Sequence, residues 1–201
     1  MGVLARFTSK TNFEHWNAIT CLMRYLKRTM HYGLLRQKYP VVIEGYSDTD
    51  CNTLSGDSLS TIGYVFTLGG GAICWKSKKQ QIIAKSTMDV ELIALASASE
   101  EVGWLRDLLS EIPMWKKPMP PVLIHCDSTA TIGRVQNKYY NEKSRSIRRK
   151  HSTIRSYINN GTINVDYIRT GDNIADPLTK ALAREKIWIT LRGMRLKYKE
   201  E

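Results

Sequence analysis

Hydrophobic residues near the start of the chain recur every three or four positions, which is the spacing of one helix face. The set consists of Trp16, Ile19, Met23, Leu26 and Met30. Thr11 and Glu14 have the spacing of a capping box, and Gly33 is expected to stop the helix. The pattern therefore predicts a helical segment at the N-terminal end.

From Val41 onward the pattern changes to short apolar runs separated by turn residues and longer helical runs. Predicted strands cover residues 41–47, 62–68, 72–77, 122–126 and 163–167, the second and third forming a hairpin. Predicted helices cover residues 86–110 and 143–159, a helical pattern with or without a break covers 177–192, and a short helix follows Ser128. We expect a mixed α/β sheet with helices on both faces. The change in pattern divides the chain into a helical segment, 1–40, and an α/β domain, 41–201.

The charge of the chain is strongly basic, with 30 Lys and Arg against 19 Asp and Glu and a formal net charge of +11. This balance favours a polyanionic partner, nucleic acid first and an anionic membrane second, over a basic surface with no partner. Membrane spanning is not expected, because no apolar run approaches the roughly 20 residues that a span needs. The four cysteines have neither C-x-x-C nor zinc spacing, and no signal peptide is visible, so we expect a reduced, intracellular chain.

Two basic runs contain no acid, residues 58–88 and 143–165. Either run can be a solvated face or a surface that holds phosphates, and the net charge favours the second. The candidate nucleic-acid contacts are Lys78, Lys79, Lys143, Arg145, Arg148, Arg149, Lys150 and His151. The alternative for His151 is a histidine of the core or of a helix surface.

Two of the acids, Asp48 and Asp127, follow the apolar strands predicted at 41–47 and 122–126. Ligands of open α/β sheets bind outside the carboxyl ends of the strands, so neighbouring strands would bring these carboxylates together. The alternative is that each aspartate only starts a turn or caps a helix.

Two further acids lie where helices begin. Glu91 is surrounded by apolar residues in the first half of the long helix, so it is either desolvated with a compensating cation or solvated in the first turn. Asp176 precedes Pro177, which is the arrangement of an N-cap, although a capping carboxylate can still offer an oxygen to a metal.

Crowded carboxylates repel one another, and a divalent cation removes that repulsion. Hard oxygen ligands select Mg²⁺ or Mn²⁺. Two such ions about 4 Å apart can clamp the attacking and leaving oxygens of a phosphodiester cleavage. A basic chain with an acidic metal pocket has the two features that a nuclease needs.

Several sequence blocks, taken in order, resemble the ribonuclease H domain of Ty1/copia retrotransposon polyproteins. They are GYSDTD at 45–50, GYVFTLGGGAICWKSKKQ at 63–80, STMDVELIA at 86–94, CDS at 126–128, RKH at 149–151 and ADPLTK at 175–180. The resemblance covers about residues 41–195. Residues 1–40, with EHW at 14–16 and RYLK at 24–27, resemble the end of the reverse transcriptase region just upstream.

The resemblance implies a ribonuclease H-like fold, with a mixed five-stranded sheet flanked by helices and an N-terminal helical extension. It implies hydrolysis of the RNA strand of RNA–DNA hybrids during reverse transcription by a two-metal mechanism. It assigns the metal-binding, catalytic acids to Asp48, Glu91, Asp127 and Asp176, with two Mg²⁺ ions or Mn²⁺ as cofactor.

The expected partners are an RNA–DNA hybrid and the reverse transcriptase domain of the same polyprotein, with no membrane. The expected location is the cytoplasm, including virus-like particles, with the nucleus as an alternative. One rival hypothesis is a non-catalytic, nucleic-acid-binding relic. A second is an integrase-like nuclease, against which the acid order Asp, Glu, Asp, Asp argues.

Overall fold

The computed structural model describes residues 4–34, 41–50, 60–82, 84–113, 115, 117–139 and 144–198. The strands are β1 (Tyr32–Leu34), β2 (Ile43–Asp50), β3 (Thr61–Leu68), β4 (Gly71–Lys79), β5 (Val122–Cys126), β6 (Ile163–Tyr167) and β7 (Leu196–Tyr198). The α-helices are α1 (Phe13–Thr29), α2 (Thr87–Ser110), α3 (Thr129–Gln136), α4 (Arg145–Asn159) and α5 (Arg184–Gly193). Short 3-10 helices cover Leu4–Phe7, Thr170–Asp172 and Asp176–Leu178.

Five strands form the central sheet in the order β4-β3-β2-β5-β6. The neighbours β2, β3 and β4 are antiparallel, whereas β2, β5 and β6 are parallel. The β3–β4 turn is tight because Gly69 and Gly70 have positive φ angles of 57° and 76°, a region that glycine enters without steric cost. The expected mixed five-stranded sheet flanked by helices is confirmed.

Helix α2 is the central helix of the core. Its N-cap is Ser86, whose side chain accepts a hydrogen bond from the backbone N–H of Asp89. Leu92, Leu95 and Val102 on this helix are fully buried against the sheet and against α4. The buried surface of α2 therefore fixes where its N-terminal part, which carries Glu91, meets the sheet.

Several predicted element ends differ from the structure. Helix α1 is capped by Asn12, whose Oδ1 accepts from the N–H of His15 at 2.9 Å, so the predicted Thr11–Glu14 capping box is wrong. Asparagine is a stronger N-cap than threonine, so the helix begins one residue later than predicted. The predicted helix at 177–192 is a short 3-10 helix followed, after a break, by α5.

The N-terminal segment touches the rest of the molecule mainly through β1. This strand pairs with β7, with Gly33 opposite Lys197, in a separate two-stranded sheet, so Gly33 lies in a strand and does not stop the helix. Helix α1 buries none of its side chains, and Trp16 is 66% exposed. The division of the chain at residues 40–41 stays a prediction. Among the helices described, none is both long and apolar enough to cross a membrane.

Candidate active site

The four acids singled out in the sequence come from four different elements and meet at one edge of the central sheet. Carboxylate oxygens of Asp48, Asp127 and Asp176 lie within 4.8 Å of one another. A second group, in which Glu91, Cys126 and Asp127 each offer a ligand atom, has the same spacing. Because Asp127 belongs to both groups, they form one continuous acidic site.

Strand pairing brings Asp48 and Asp127 together. In the parallel β2–β5 pair Ser47 lies opposite Cys126, so the next residue of each chain segment emerges at the same edge. Strand β2 continues to Asp50 because its other side stays paired with β3, where Asp48 faces Gly63. Asp48 therefore lies inside the strand, not at its end as predicted, and it is only 1% exposed.

Asn173 attaches the segment that carries Asp176 to the sheet. Its Nδ2 donates to the backbone oxygen of Ser47 at 2.9 Å, and its Oδ1 accepts from the N–H of Ala175 at 3.1 Å. The side chain is completely buried. Asp176 begins the 3-10 helix at Asp176–Leu178 and its side chain makes no capping hydrogen bond, so the N-cap alternative is wrong.

Glu91 points from the second turn of α2 toward the end of β2. Its Oε1 accepts from the hydroxyl of Thr49 at 2.7 Å, and its Oε2 is buried with no hydrogen-bond donor among the described residues. Burial is the main cause that raises the pKa of Glu91 to about 8, and the carboxylates of Asp127 and Asp48 raise it further. Glu91 is therefore not the fully solvated residue of one alternative, and the charge of Lys180, which lowers this pKa, is a nearby cation of the kind that the other alternative expects.

Asp48 is the most buried member of the cluster. Burial raises its pKa to about 7, against the lowering effects of a hydrogen bond from Thr179 and the charge of Lys180. The neighbouring carboxylates of Asp176 and Asp127 raise this pKa further. Asp48 therefore holds its proton to a higher pH than a solvent-exposed aspartate does.

Two residues next to the acids carried no assigned role in the sequence analysis. The hydroxyl of Thr179 donates to Oδ2 of Asp48, and Nζ of Lys180 lies 2.9 Å from Oδ1 of Asp176. Burial lowers the pKa of Lys180, but the hydrogen bond to Asp176 and the nearby carboxylates outweigh it, so the pKa is raised. The sequence signal that could have identified Lys180 is its spacing, because it follows Asp176 by four residues at a predicted helix start, where such side chains can pair. Asn173 had no comparable local signal.

The donor set fits a hard divalent cation. Asp48, Asp127, Asp176 and Glu91 offer carboxylate oxygens, which Mg²⁺ and Mn²⁺ prefer. The buried Oε2 of Glu91, which lacks a donor among the described residues, gains a partner if a cation binds beside it. Cys126 is a poor ligand for such a cation, because burial raises the pKa of its thiol to about 12 and keeps it protonated.

The two basic runs meet in one groove. Lys78 and Lys79 are exposed on the edge strand β4, and they line a groove of about 390 Å³ between β4 and α2. Lys150, from α4, lines the same groove, and its Nζ lies 2.9 Å from Oε1 of Glu100. The fold therefore joins residues that lie about seventy positions apart in the sequence.

The remaining candidate contacts with nucleic acid lie on α4 or just before it. Arg145, Arg148 and Arg149 are exposed. Lys143 lies outside the described residues. His151 is only 4% exposed, and its Nε2 lies 3.1 Å from the backbone oxygen of Arg134. This position matches the core-histidine alternative and not a contact with phosphate.

Several sequence relatives are Pol polyproteins of transposons. The chain is 33% identical, over 92% of its length, to the Retrovirus-related Pol polyprotein from transposon TNT 1-94 of Nicotiana tabacum. It is 32% identical, over 90% of its length, to the Pol polyprotein from transposon RE2 of Arabidopsis thaliana. The chain spans only 14% and 12% of these two polyproteins. No protein-family model matches it.

Solved structures with the same fold are ribonucleases H. LC11-RNase H1, isolated from compost, has a TM-score of 0.51 at 20% identity, covering 70% of this chain and 94% of that one. A structure of LC11-RNase H1 in complex with RNA/DNA hybrid has a TM-score of 0.50 at 21% identity, covering 68% of this chain and 93% of that one. The fold, the order of the acids and the relatives agree: the chain belongs to the Ty1/copia-type retrotransposon Pol polyproteins, as a segment with the ribonuclease H fold.

Proposed function

We propose that the chain is a ribonuclease H that hydrolyses the RNA strand of RNA–DNA hybrids during retrotransposon reverse transcription. The observation that carries this proposal is the meeting of Asp48, Glu91, Asp127 and Asp176 at one edge of the sheet. The ribonuclease H fold and the hybrid bound to a protein of similar fold support it. The reverse transcriptase domain of the same polyprotein is the proposed partner that supplies the hybrid.

The four acids would hold divalent cations, Mg²⁺ first and Mn²⁺ as an alternative. The two-ion arrangement is what the family resemblance implies, and Asp127 is the carboxylate that both ligand groups share. Such ions, when bound, activate a water for attack on the phosphodiester and stabilise the leaving oxygen. The chain's own part is to hold the carboxylates in place, through the Asn173 hydrogen bonds and the Thr49 hydroxyl.

Proton release accompanies this binding. Asp48 and Glu91, with pKa values raised to about 7 and about 8, keep protons near neutral pH that an incoming cation must displace. Cation affinity is therefore expected to rise with pH in this range.

The basic groove is the proposed contact with the nucleic-acid backbone. Lys78, Lys79 and Lys150 line it, and the exposed Arg145, Arg148 and Arg149 extend the positive surface along α4. Lysine and arginine contacts with phosphates give affinity without reading sequence. The preference for a hybrid would come from 2′-hydroxyl groups in its minor groove.

A nucleic-acid-binding relic without catalysis is the alternative, and the net charge of +11 and the basic groove are all that it requires. The presence of all four acids in one site favours the enzyme.

A cleavage assay with a labelled RNA–DNA hybrid separates the two. The wild-type chain should cleave the RNA strand with Mg²⁺ and not with EDTA. Asp48→Asn keeps the shape of the side chain and removes a charge, and it should lower cleavage at least about 100-fold, or about 2.7 kcal/mol. Asp107→Asn, at an exposed position of α2, is the matched control and should cleave like wild type. Hybrid binding without cleavage by the wild-type chain would instead support the relic.

A further inference from the structure

A lysine just after the 3-10 helix Asp176–Leu178 places its ammonium group in the acidic site. Nζ of Lys180 lies 2.9 Å from Oδ1 of Asp176 and 3.8 Å from Oδ2 of Asp48. The side chains of the two aspartates are 3% and 2% exposed, whereas that of Lys180 is 30% exposed. The ammonium group therefore lies between two buried carboxylates, while its stem keeps a path to solvent.

This arrangement differs from the other lysine–carboxylate pair near the proposed substrate groove. Lys150 pairs with Glu100, whose side chain is 49% exposed, and such surface pairs contribute little to stability. Lys180 instead faces acids that repel one another and that water cannot screen. A cation is needed among them, and in the absence of a metal ion the lysine supplies it.

The position of the ammonium group coincides with part of a candidate metal site. Asp48 and Asp176, which Lys180 contacts, are two of the three members of the group completed by Asp127. A divalent cation bound to this group would stand within a few ångströms of a positive charge on Lys180. The two cations repel each other, and the flexible four-carbon stem of lysine allows its charged end to move outward.

We infer that Lys180 is a positioning residue that acts as an internal counter-ion, an inference that rests on the metal site of the proposed function. Its ammonium group holds Asp48 and Asp176 together in the ion-free protein. A divalent cation has to displace it from these carboxylates. Lys180 therefore stabilises the ion-free fold and lowers the affinity of the site for divalent cations.

The first test is Lys180→Met, which keeps most of the length of the side chain and removes the charge. Isothermal titration calorimetry with Mn²⁺ at a fixed pH should give binding about tenfold tighter than wild type, because the competing charge is gone. The melting temperature in EDTA should fall, and the increase on adding Mn²⁺ should exceed that of wild type. The matched control is Lys186→Met, an exposed lysine of α5, which should change neither quantity.

A double-mutant cycle tests the same inference through stability, and if Lys180→Met alone does not fold in EDTA, the combination of Lys180→Met with Asp176→Asn should fold there because the closest unpaired charge is gone. Asp176→Asn removes the closest partner charge, so the loss of melting temperature caused by Lys180→Met in EDTA should shrink in the Asp176→Asn background. Lys180→Met with unchanged or weaker Mn²⁺ binding would overturn the inference. An equal loss of melting temperature in both backgrounds would also overturn it.

The assays separate this inference from the proposed nuclease activity. If the wild-type chain binds Mn²⁺ but does not cleave a hybrid, and Lys180→Met still binds Mn²⁺ more tightly, only the nuclease proposal fails. If the wild-type chain cleaves the hybrid but Lys180→Met binds Mn²⁺ as wild type does, only the role of Lys180 fails.

Discussion

At the scale of single residues, the burial of Asp48 and Glu91 makes the stability of the ion-free protein depend on pH. The fold raises the pKa of Asp48 to about 7 and that of Glu91 to about 8, so between about pH 4 and pH 8 the folded state holds more protons than the unfolded chain. The free energy of unfolding should therefore be highest at the acidic end of this window and fall as pH rises.

Unfolding by urea in EDTA, measured from pH 5 to pH 8.5, tests this dependence. Glu91→Gln removes one titrating group, so its stability should fall less steeply with pH than that of wild type. Glu14→Gln, at an exposed position of α1, is the control and should keep the wild-type slope. An unchanged slope in Glu91→Gln would contradict the prediction.

Asn173 is the residue on which the position of Asp176 depends most directly. Asn173→Ala leaves the buried backbone groups of Ser47 and Ala175 without the partners that the amide supplied. We expect a loss of roughly 2–4 kcal/mol in the free energy of unfolding. Mn²⁺ affinity should also decrease, because the segment that carries Asp176 is no longer tied to β2.

Denaturant unfolding and calorimetry measure the two effects of Asn173→Ala. Asn164→Ala, at an exposed position of β6, is the control for both. Mn²⁺ affinity equal to that of wild type, in a folded Asn173→Ala protein, would show that other contacts position Asp176.

At the scale of elements, the groove between β4 and α2 is the proposed contact with the nucleic-acid backbone. Lys78→Ala combined with Lys79→Ala should weaken hybrid binding for every sequence tested. The plot of log K against log salt should become shallower by about 0.9 for each phosphate contact that is lost. Lys186→Ala, on α5, should leave the slope unchanged. If the double variant keeps the wild-type slope, the β4 lysines form only a solvated surface.

At the scale of the whole molecule, the N-terminal segment is attached by few contacts within the described part of the chain. Its strand β1 pairs with β7, and Tyr32 contacts Trp188 with ring centroids 5.8 Å apart. Helix α1 buries none of its side chains and carries none of the four acids. We therefore expect residues 41–201 to fold alone and to keep Mg²⁺-dependent cleavage.

Circular dichroism and thermal melting of residues 41–201 test this expectation against the full chain. Loss of the β1–β7 pairing should lower the melting temperature by only about 2–6 °C, which corresponds to roughly 1–2 kcal/mol for a domain of this size. Weaker hybrid binding is also expected, because seven Lys and Arg residues are removed. An unfolded 41–201 would mean that the first segment belongs to the core.

Local pattern was sufficient for the elements that depend on local interactions. The strand at 163–167, the hairpin around residues 69–71 and the helix capped by Ser86 occur where periodicity and turn residues predict them. The four acids could also be chosen from the sequence. Each is a carboxylate beside an apolar run, and each lies in one of the ordered blocks that resemble a known family. Helix and strand periodicity reflects neighbours a few residues apart, and a single sequence shows those neighbours directly.

Only the tertiary structure decided how these pieces meet. Asp48 and Asp127 share an edge because β2 and β5 pair in parallel, and Asp176 joins them through the bond from Asn173 to Ser47, 126 residues away. The contact between Lys180 and Asp48 has the same long-range origin. Such contacts depend on strand order and on the closing of long loops. Local periodicity carries no information about either. The sequence by itself determined which residues could form the site, and the packing of the sheet determined that they do.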